Sequence, residues 1–453
     1  MRITMQKRLL TLAVTAALLS TTTQVQAAGF QLAEYSATGL GRAFAGEAAI
    51  ADNASVQGRN PAMLTYLEGR QLSAGGIYVM PNVDVKGDVS LSSPLLGPNP
   101  VEMKGGDALD VADDALVPNF YYSNQLNDQW TWGLAVNSNY GLSTELPKTH
   151  AAAIFGNKTA VTTVEFNPNI AYRVNDAVSV GGGVRIVYGE GEIGASLPGW
   201  VDGIKPALPA QVSAMLPPGG TELKSMKGDD IGYGWQLGTS WQINPAHRVG
   251  LAYHSGVKLD LEGHASGVIY DGGQNLSIEG YIPLELPAFA ELSSYHQLTD
   301  NWAMHASVNW TDWSVFDQLV AYFPGEVKPK GDLESDLVKE EHFEDNWRFA
   351  LGTTYQVSNE WLVRAGVALD KTAATNEWRT TTIPDSDRLW FSVGAGYQAT
   401  KNLNVDFALT YIRATGDAPI NEQQNLLNLA TVSFNGEASG DVWLAGIQMS
   451  YKM

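Results

Sequence analysis

The chain has 453 residues, with 28 Lys+Arg against 48 Asp+Glu and no cysteine. A net charge of −20 argues against nucleic acid and against a general basic surface for anionic head groups, and the lack of cysteine removes disulfide and thiolate chemistry. Hydrophobic residues make up 44% of the chain, yet after Leu19 they are dispersed, and no run approaches the ~18 residues of a membrane helix.

The first residues read as an export signal. Arg2, Lys7 and Arg8 give a positive start, Leu9 to Leu19 is an apolar stretch too short to span a bilayer, and Val25-Gln26-Ala27 fits a small-residue cleavage pattern. The mature chain is expected to begin at Ala28, and loss of those three cations takes the net charge from −20 to −23. Ala28 to Ala62 is rich in Gly and Ala and has no strand-like alternation. Such a segment has no place in a barrel wall and is expected to fold into the lumen as a plug.

Everything beyond it alternates. Strands are predicted near 72–86, 117–125, 130–141, 160–174, 177–193, 231–243, 248–262, 284–297, 302–319, 347–356, 361–371, 388–398, 403–415 and 440–453. In the fifth, Val178, Val180, Val184 and Ile186 take one face and Ser179, Gly181, Gly183 and Arg185 the other. In the seventh, Val249, Leu251, Tyr253, Val257, Leu259 and Leu261 share a face opposite Arg248, His254, Lys258, Asp260 and Glu262. Six connections, at 126–128, 175–176, 244–247, 299–301, 358–360 and 400–402, are short and built from turn formers; those between them are long. Alternating short turns and long loops, an even strand count and no unpaired edge describe a transmembrane barrel. Trp130, Trp132, Trp302, Trp310, Trp347, Trp361 and Trp390 fall near strand ends, where interfacial belts form. The expected fold is therefore an all-β membrane protein. It is a 14-stranded antiparallel transmembrane β-barrel (71–453) with a small N-terminal hatch (28–70) in the lumen, behind a signal peptide (1–27). No repeat of ~40–50 residues supports a propeller.

Chemistry is sparse. None of the seven histidines has a metal-ligand spacing, and neither metal nor cofactor is expected. His305 and Ser307 lie two apart on one strand, as a lipase pair could, but share the polar face with Ala303, Asn309 and Thr311 and so point into the lumen. The acidic stretches 107–114 and 340–344 fall in loops, solvated or bridging cations to lipopolysaccharide. The loop from Gly194 to Asp230 carries Leu197, Trp200, Val201, Ile204, Leu208, Val212, Met215 and Leu216, with Pro206 and Pro209 allowing two short helices. That apolar surface either packs on a neighbour, with the loop Ser266 to Pro287 as the candidate, or captures a hydrophobic ligand.

Several stretches carry a resemblance: Ala28-Gly29-Phe30-Gln31-Leu32, Gly39-Leu40-Gly41-Arg42-Ala43, Arg59-Asn60-Pro61-Ala62, Ser138-Asn139-Tyr140-Gly141-Leu142, Ala350-Leu351-Gly352-Thr353-Thr354-Tyr355 and Ile383-Pro384-Asp385. Together with the strand count, they make the mature chain resemble the long-chain fatty acid transporter (FadL) family of Gram-negative outer membranes. The resemblance implies ligand-gated diffusion with capture on external loops, a lumen site at Phe30, a hatch motif Asn60-Pro61-Ala62, and sideways exit at a third-strand kink matching Asn139-Tyr140-Gly141. It implies a monomer, long-chain fatty acids as substrates, and an outer-membrane location among lipid and lipopolysaccharide. The chain departs from the family where a basic residue near the outer end of the fifth strand holds the carboxylate, because Glu190 and Glu192 stand there. Arg185, Lys258, Lys339 or Arg348 are the alternatives. The chain also ends Tyr451-Lys452-Met453 rather than on an aromatic residue. Uptake of neutral hydrophobics such as aromatic hydrocarbons is the closest rival; a general porin and an outer-membrane lipase are rivals of other classes.

Overall fold

The computed structural model describes residues 29–274, 276–426 and 429–453; the expected leader and Ala28 lie outside them. Fourteen antiparallel wall strands close on themselves. They are β1 (Arg70–Ser92), β2 (Ala115–Gln125), β3 (Trp130–Asn137, resuming at Gly141–Glu145), β4 (Lys158–Arg173), β5 (Val178–Ser196), β6 (Glu222–Asn244) and β7 (His247–His254, resuming at Val257–Ser266). Next come β8 (Ile278–Leu286 and Phe289–Thr299), β9 (Trp302–Thr311), β10 (Asn346–Gln356), β11 (Trp361–Asp370), β12 (Asp387–Gln398), β13 (Leu403–Thr415) and β14 (Ala430–Lys452). β14 pairs with β1 from Gln71↔Lys452 to Ser92↔Thr431, so the wall has no free edge there. The six short turns stand where the sequence places them.

Several strands outrun their expected ends. β1 reaches Ser92, β6 begins at Glu222 and β14 at Ala430. These extensions rise past the membrane, where water wets the outer face. Lipid no longer demands an apolar alternation there, so periodicity loses them while the hydrogen-bonded ladder continues.

The seventh strand is corrected more deeply. Leu251 and Tyr253 are exposed on the outer surface, but Val257, Leu259 and Leu261 are buried inside, while Lys258, Asp260 and Glu262 face out. Ser255 and Gly256 interrupt the strand and reverse its faces, as an irregular pair does when it resets the pleat. The tryptophans divide similarly. Trp130, Trp132, Trp302, Trp347 and Trp361 are exposed on the outside, whereas Trp390 is fully buried in the lumen against Arg348 and Phe44.

Residues Gly29 to Glu68 lie inside the wall. Ser36 caps a short helix α1 (Ala37–Leu40), and Asn53 and Asn60 cap two 3-10 turns, Ala54–Gly58 and Pro61–Tyr66. Arg42 fastens this segment internally, 2.7 Å from Glu47 and 2.6 Å from Asp52. The wall holds it through Thr38 to Asp406 (2.8 Å), Ala37 N–H to Gln448 (3.1 Å) and Gly46 N–H to Ser307 (2.6 Å). Inward-facing wall glycines make the room. A Cβ on Gly250 would stand 1.8 Å from the Ala48 carbonyl, and one on Gly366 2.2 Å from Arg42.

Candidate functional site

The wall is incomplete at one place. β3 pairs with β2 only from Phe120↔Val136 to Gln125↔Thr131, so Ala115 to Asn119 pair with β1 alone. Ser138, Asn139 and Tyr140 leave the ladder, and the resumed strand from Gly141 pairs only with β4. The kink is pinned to β4 by Ser138 Oγ to the Thr163 carbonyl (2.6 Å) and Thr163 Oγ1 to the Tyr140 carbonyl (2.7 Å).

The chain's own N-terminal segment occupies the inner side of this break. Leu32 N–H donates to the Asn139 carbonyl and Gly141 N–H to the Phe30 carbonyl, both at 2.8 Å, so residues 30–32 add a short strand to the kink. The Phe30 ring packs edge-on against Trp313 (4.6 Å between centroids), Phe316 (5.2 Å) and Tyr140 (6.2 Å). Beside it lies an apolar cavity lined by Leu142, Ile193, Leu261, Leu284 and Phe316. Its free volume is ≈ 50 Å³, far below the roughly 300–1,000 Å³ of ordinary ligand pockets. A ligand of ordinary size therefore fits there only if the lining side chains move.

Phe30, Asn139, Tyr140 and Gly141 thus come together. Asn60, Pro61 and Ala62 sit elsewhere, at the base of the luminal segment. Asn60 accepts from Ala62 N–H (3.0 Å) and donates to the Ala48 carbonyl (2.7 Å) and to the Thr239 carbonyl in the wall (3.0 Å). Pro61 starts its 3-10 turn, and Gly181 leaves space for Ala62.

The external loop forms a second, separate cluster. Its helices are α2 (Trp200–Ile204) and α3 (Ala210–Met215), with Pro209 at the N-cap of α3. Leu197 and Val201 are buried, Trp200 and Ile204 partly buried, and Leu208 is half-exposed. Trp200 and Ile204 pack against a buried cluster that includes Leu146, Ala151 and Ile154, and Trp200 Nε1 donates to the Ala151 carbonyl (3.0 Å). The expected partner loop meets the strand end of this loop, where Ser266 Oγ donates to Glu222 (2.8 Å). Tyr281 and Ile282 belong to β8, and Tyr270 packs on Phe323 (5.2 Å) in the cluster around Phe30.

The candidate cations are all engaged. Arg185 is fully buried in a two-point ion pair with Glu165 (2.9 Å). Lys339 pairs with Glu422 (3.2 Å) and donates to Thr382 (2.8 Å). Arg348 lies 4.0 Å from Asp370, and Lys258 points outward beside Glu285. Glu190 and Glu192 sit out of register with the inward Gly189, Gly191 and Ile193, and pair with Lys227 and Lys158. Neither is an unpaired anion in the lumen. His305 and Ser307 do face inward and bond separately, His305 Nε2 with Thr354 and Ser307 Oγ with the Gly46 N–H of the luminal segment. Several carboxyls outside the strands are perturbed. Burial lifts Glu34 to about 7 and Glu341 to about 8.

Residues 18–453 match the family model described as "Outer membrane protein transport protein (OMPP1/FadL/TodX)". The chain belongs to the OMPP1/FadL/TodX family. It is 34% identical to a long-chain fatty acid transport protein of Escherichia coli over 98% of this chain and 99% of that one. It is 35% identical to outer membrane protein P1 of Haemophilus influenzae over 94% and 95%. Among solved structures, a Pseudomonas aeruginosa FadL homologue superposes with a TM-score of 0.79 at 25% identity, covering 94% of this chain and all of that one. The Pseudomonas putida toluene transporter TodX shares the fold with a TM-score of 0.64 at 19% identity, covering 94% and 100%. Membership places this chain in the outer membrane as a channel for hydrophobic substrates.

No motif or strand face in the sequence marks Trp313, Phe316, Leu261 or Glu165 as belonging to this site. Glu165 left a trace, a charge inside an apolar strand. Leu261 reads as sharing one face with Leu251 and Tyr253, because the break at Ser255-Gly256 has no periodic signature.

Proposed function

We propose that this protein carries long-chain fatty acids across the outer membrane by facilitated diffusion, acting as a monomer. The ligand lodges first among the apolar side chains of the loop around Leu197, Trp200, Val201, Ile204 and Leu208. It then displaces Phe30 from the cavity below. Residues 28–70 act as the hatch, based on Asn60-Pro61-Ala62. Withdrawal of residues 30–32 uncovers the gap between β2 and the kinked β3, and the ligand leaves sideways into the membrane.

One observation carries the reading. The segment that caps the apolar cavity is hydrogen-bonded, through Phe30 and Leu32, to the backbone that breaks the wall. A ligand that moves the first must disturb the second, and the gate then opens by a shift of population with no energy source. The transporters named among the relatives support the substrate class.

Neutral hydrophobics remain a second reading, favoured by the pairing of every candidate cation with a carboxylate. Uptake of labelled oleate by cells lacking their own transporter separates the two. Absence of uptake with the barrel correctly inserted removes the fatty-acid reading. A general porin predicts steady conductance from the intact protein, and a lipase predicts ester hydrolysis lost on Ser307→Ala. Neither is expected.

A further inference from the structure

A buried chain of polar contacts ends on the kink. Glu165, on the inner face of β4, takes Arg185 by Nε to Oε1 and Nη2 to Oε2, both 2.9 Å. The same Oε2 accepts Asn139 Nδ2 at 2.8 Å. Side-chain exposure is 0% for Arg185 and 3% for Glu165, so no water competes for these bonds. The carbonyl of Asn139 is the acceptor for Leu32 N–H. One carboxylate therefore neutralises the buried cation and steadies the residue on which the N-terminal segment docks. Arg185 also bonds the Ser255 carbonyl, at the break in β7, and lies against Tyr140, whose ring meets Phe30.

A buried guanidinium must keep an anion, but its planar fork does not distinguish one carboxylate from another. We propose that Glu165 stands in for the ligand's carboxylate in the closed state and is exchanged for it on opening. This rests on the channel reading above. The acid arrives neutral through the apolar cavity, which avoids desolvating a charge. Its O–H bond breaks as it takes the Arg185 fork, and the proton forms a new O–H bond on Glu165. Charge is conserved: one cation and one anion stand there before and after. Protonated Glu165 holds Asn139 through a neutral bond in place of a charge-assisted one, and the kink loosens. An alcohol or hydrocarbon in the same cavity has no proton and carboxylate to exchange, so the latch sorts acids from neutrals.

The test uses the full-length protein purified in detergent, with equilibrium binding of labelled oleate and oleyl alcohol. Hydrogen exchange at the Leu32 and Gly141 amides is followed in parallel. Glu165→Gln removes the competing anion and mimics the protonated state. Oleate is expected to bind at least about tenfold tighter, the worth of a charged hydrogen bond, with oleyl alcohol unchanged and both amides exchanging faster without ligand. Arg185→Gln with Glu165→Gln leaves a neutral pair of nearly the same shape, which folds without a buried charge and is expected to lose the preference for oleate over the alcohol. The proposal is overturned if wild type binds oleate yet Glu165→Gln keeps the wild-type oleate-to-alcohol ratio, or if the double variant retains that preference; the channel reading survives both results. Wild type binding neither compound overturns both.

Discussion

Phe30→Ala tests whether the N-terminal segment latches the wall. The ring is 1% exposed and is held by Trp313, Phe316 and Tyr140. Truncating a buried phenylalanine costs about 3–5 kcal/mol, within which each edge-on ring contact contributes about 0.5–1.5 kcal/mol. The cost should fall on local docking and not on the barrel. The segment is anchored at the kink by two backbone bonds, one through Phe30 and one through Leu32, while the β1–β14 closure lies elsewhere. If about 3 kcal/mol is lost from the docked state alone, the undocked population rises by about two orders of magnitude. Hydrogen exchange followed by mass spectrometry reads this directly. Peptides spanning 30–35 and 138–145 should exchange about a hundredfold faster, while peptides from β1 and β14 keep their wild-type rates. Unchanged exchange at Leu32 and Gly141 would show that Phe30 does not hold the segment. Equal acceleration throughout the barrel would show that the luminal segment and the wall open as one unit, and local gating would then be wrong.

Other consequences follow from the same geometry. Gly250→Leu places a side chain where the Ala48 carbonyl lies 1.8 Å from an added Cβ; the barrel should assemble but conduct steadily in planar bilayers, and a closed, silent channel would contradict the mould. Gly141→Trp should cut oleate uptake severalfold by filling the gap beside the kink while leaving heat-modifiable barrel folding intact. Burial lifts the Glu34 carboxyl from 4.5 to about 7, so the docked segment binds a proton that the undocked one has released between those values. Its stabilisation is full below 4.5 and is lost as pH rises through 7, by up to about 3 kcal/mol. Opening probability in bilayers should therefore climb from pH 5 to 8, and Glu34→Gln should flatten the climb. Trp200→Ala should weaken capture of oleate by whole cells without changing conductance of a hatch-deleted barrel.

The barrel was legible because lipid imposes a strict rule. Wherever hydrocarbon touches the wall, alternate residues must be apolar, and each turn must come back with short polar chemistry. That rule reaches β11, where Trp361, Val363, Val367 and Leu369 face out and Arg364, Ala368 and Asp370 face in. It stops at the rim, where β1, β6 and β14 continue in water with no apolar demand on their outer faces. The kink could be named only from motif matches, because Asn139-Tyr140-Gly141 carries no signal of its own that a strand stops.

The luminal site was less legible because its rules run the opposite way. Inside the barrel an apolar residue packs in a buried cluster, not against lipid, so Val257, Leu259 and Leu261 look like wall residues until Ser255-Gly256 is known to reverse the faces. Glycine is ambiguous for the same reason. On the wall, Gly181, Gly250 and Gly366 read as weak points in strands, yet each marks a place where the luminal backbone comes too close for a side chain. The luminal segment is therefore encoded twice, once in residues 29–68 and again as missing Cβ atoms scattered over strands far away in sequence. Only the second record says where the segment sits. It also implies that segment and wall are specified jointly: a substitution at Gly250 or Gly366 displaces the segment without touching any of its own residues.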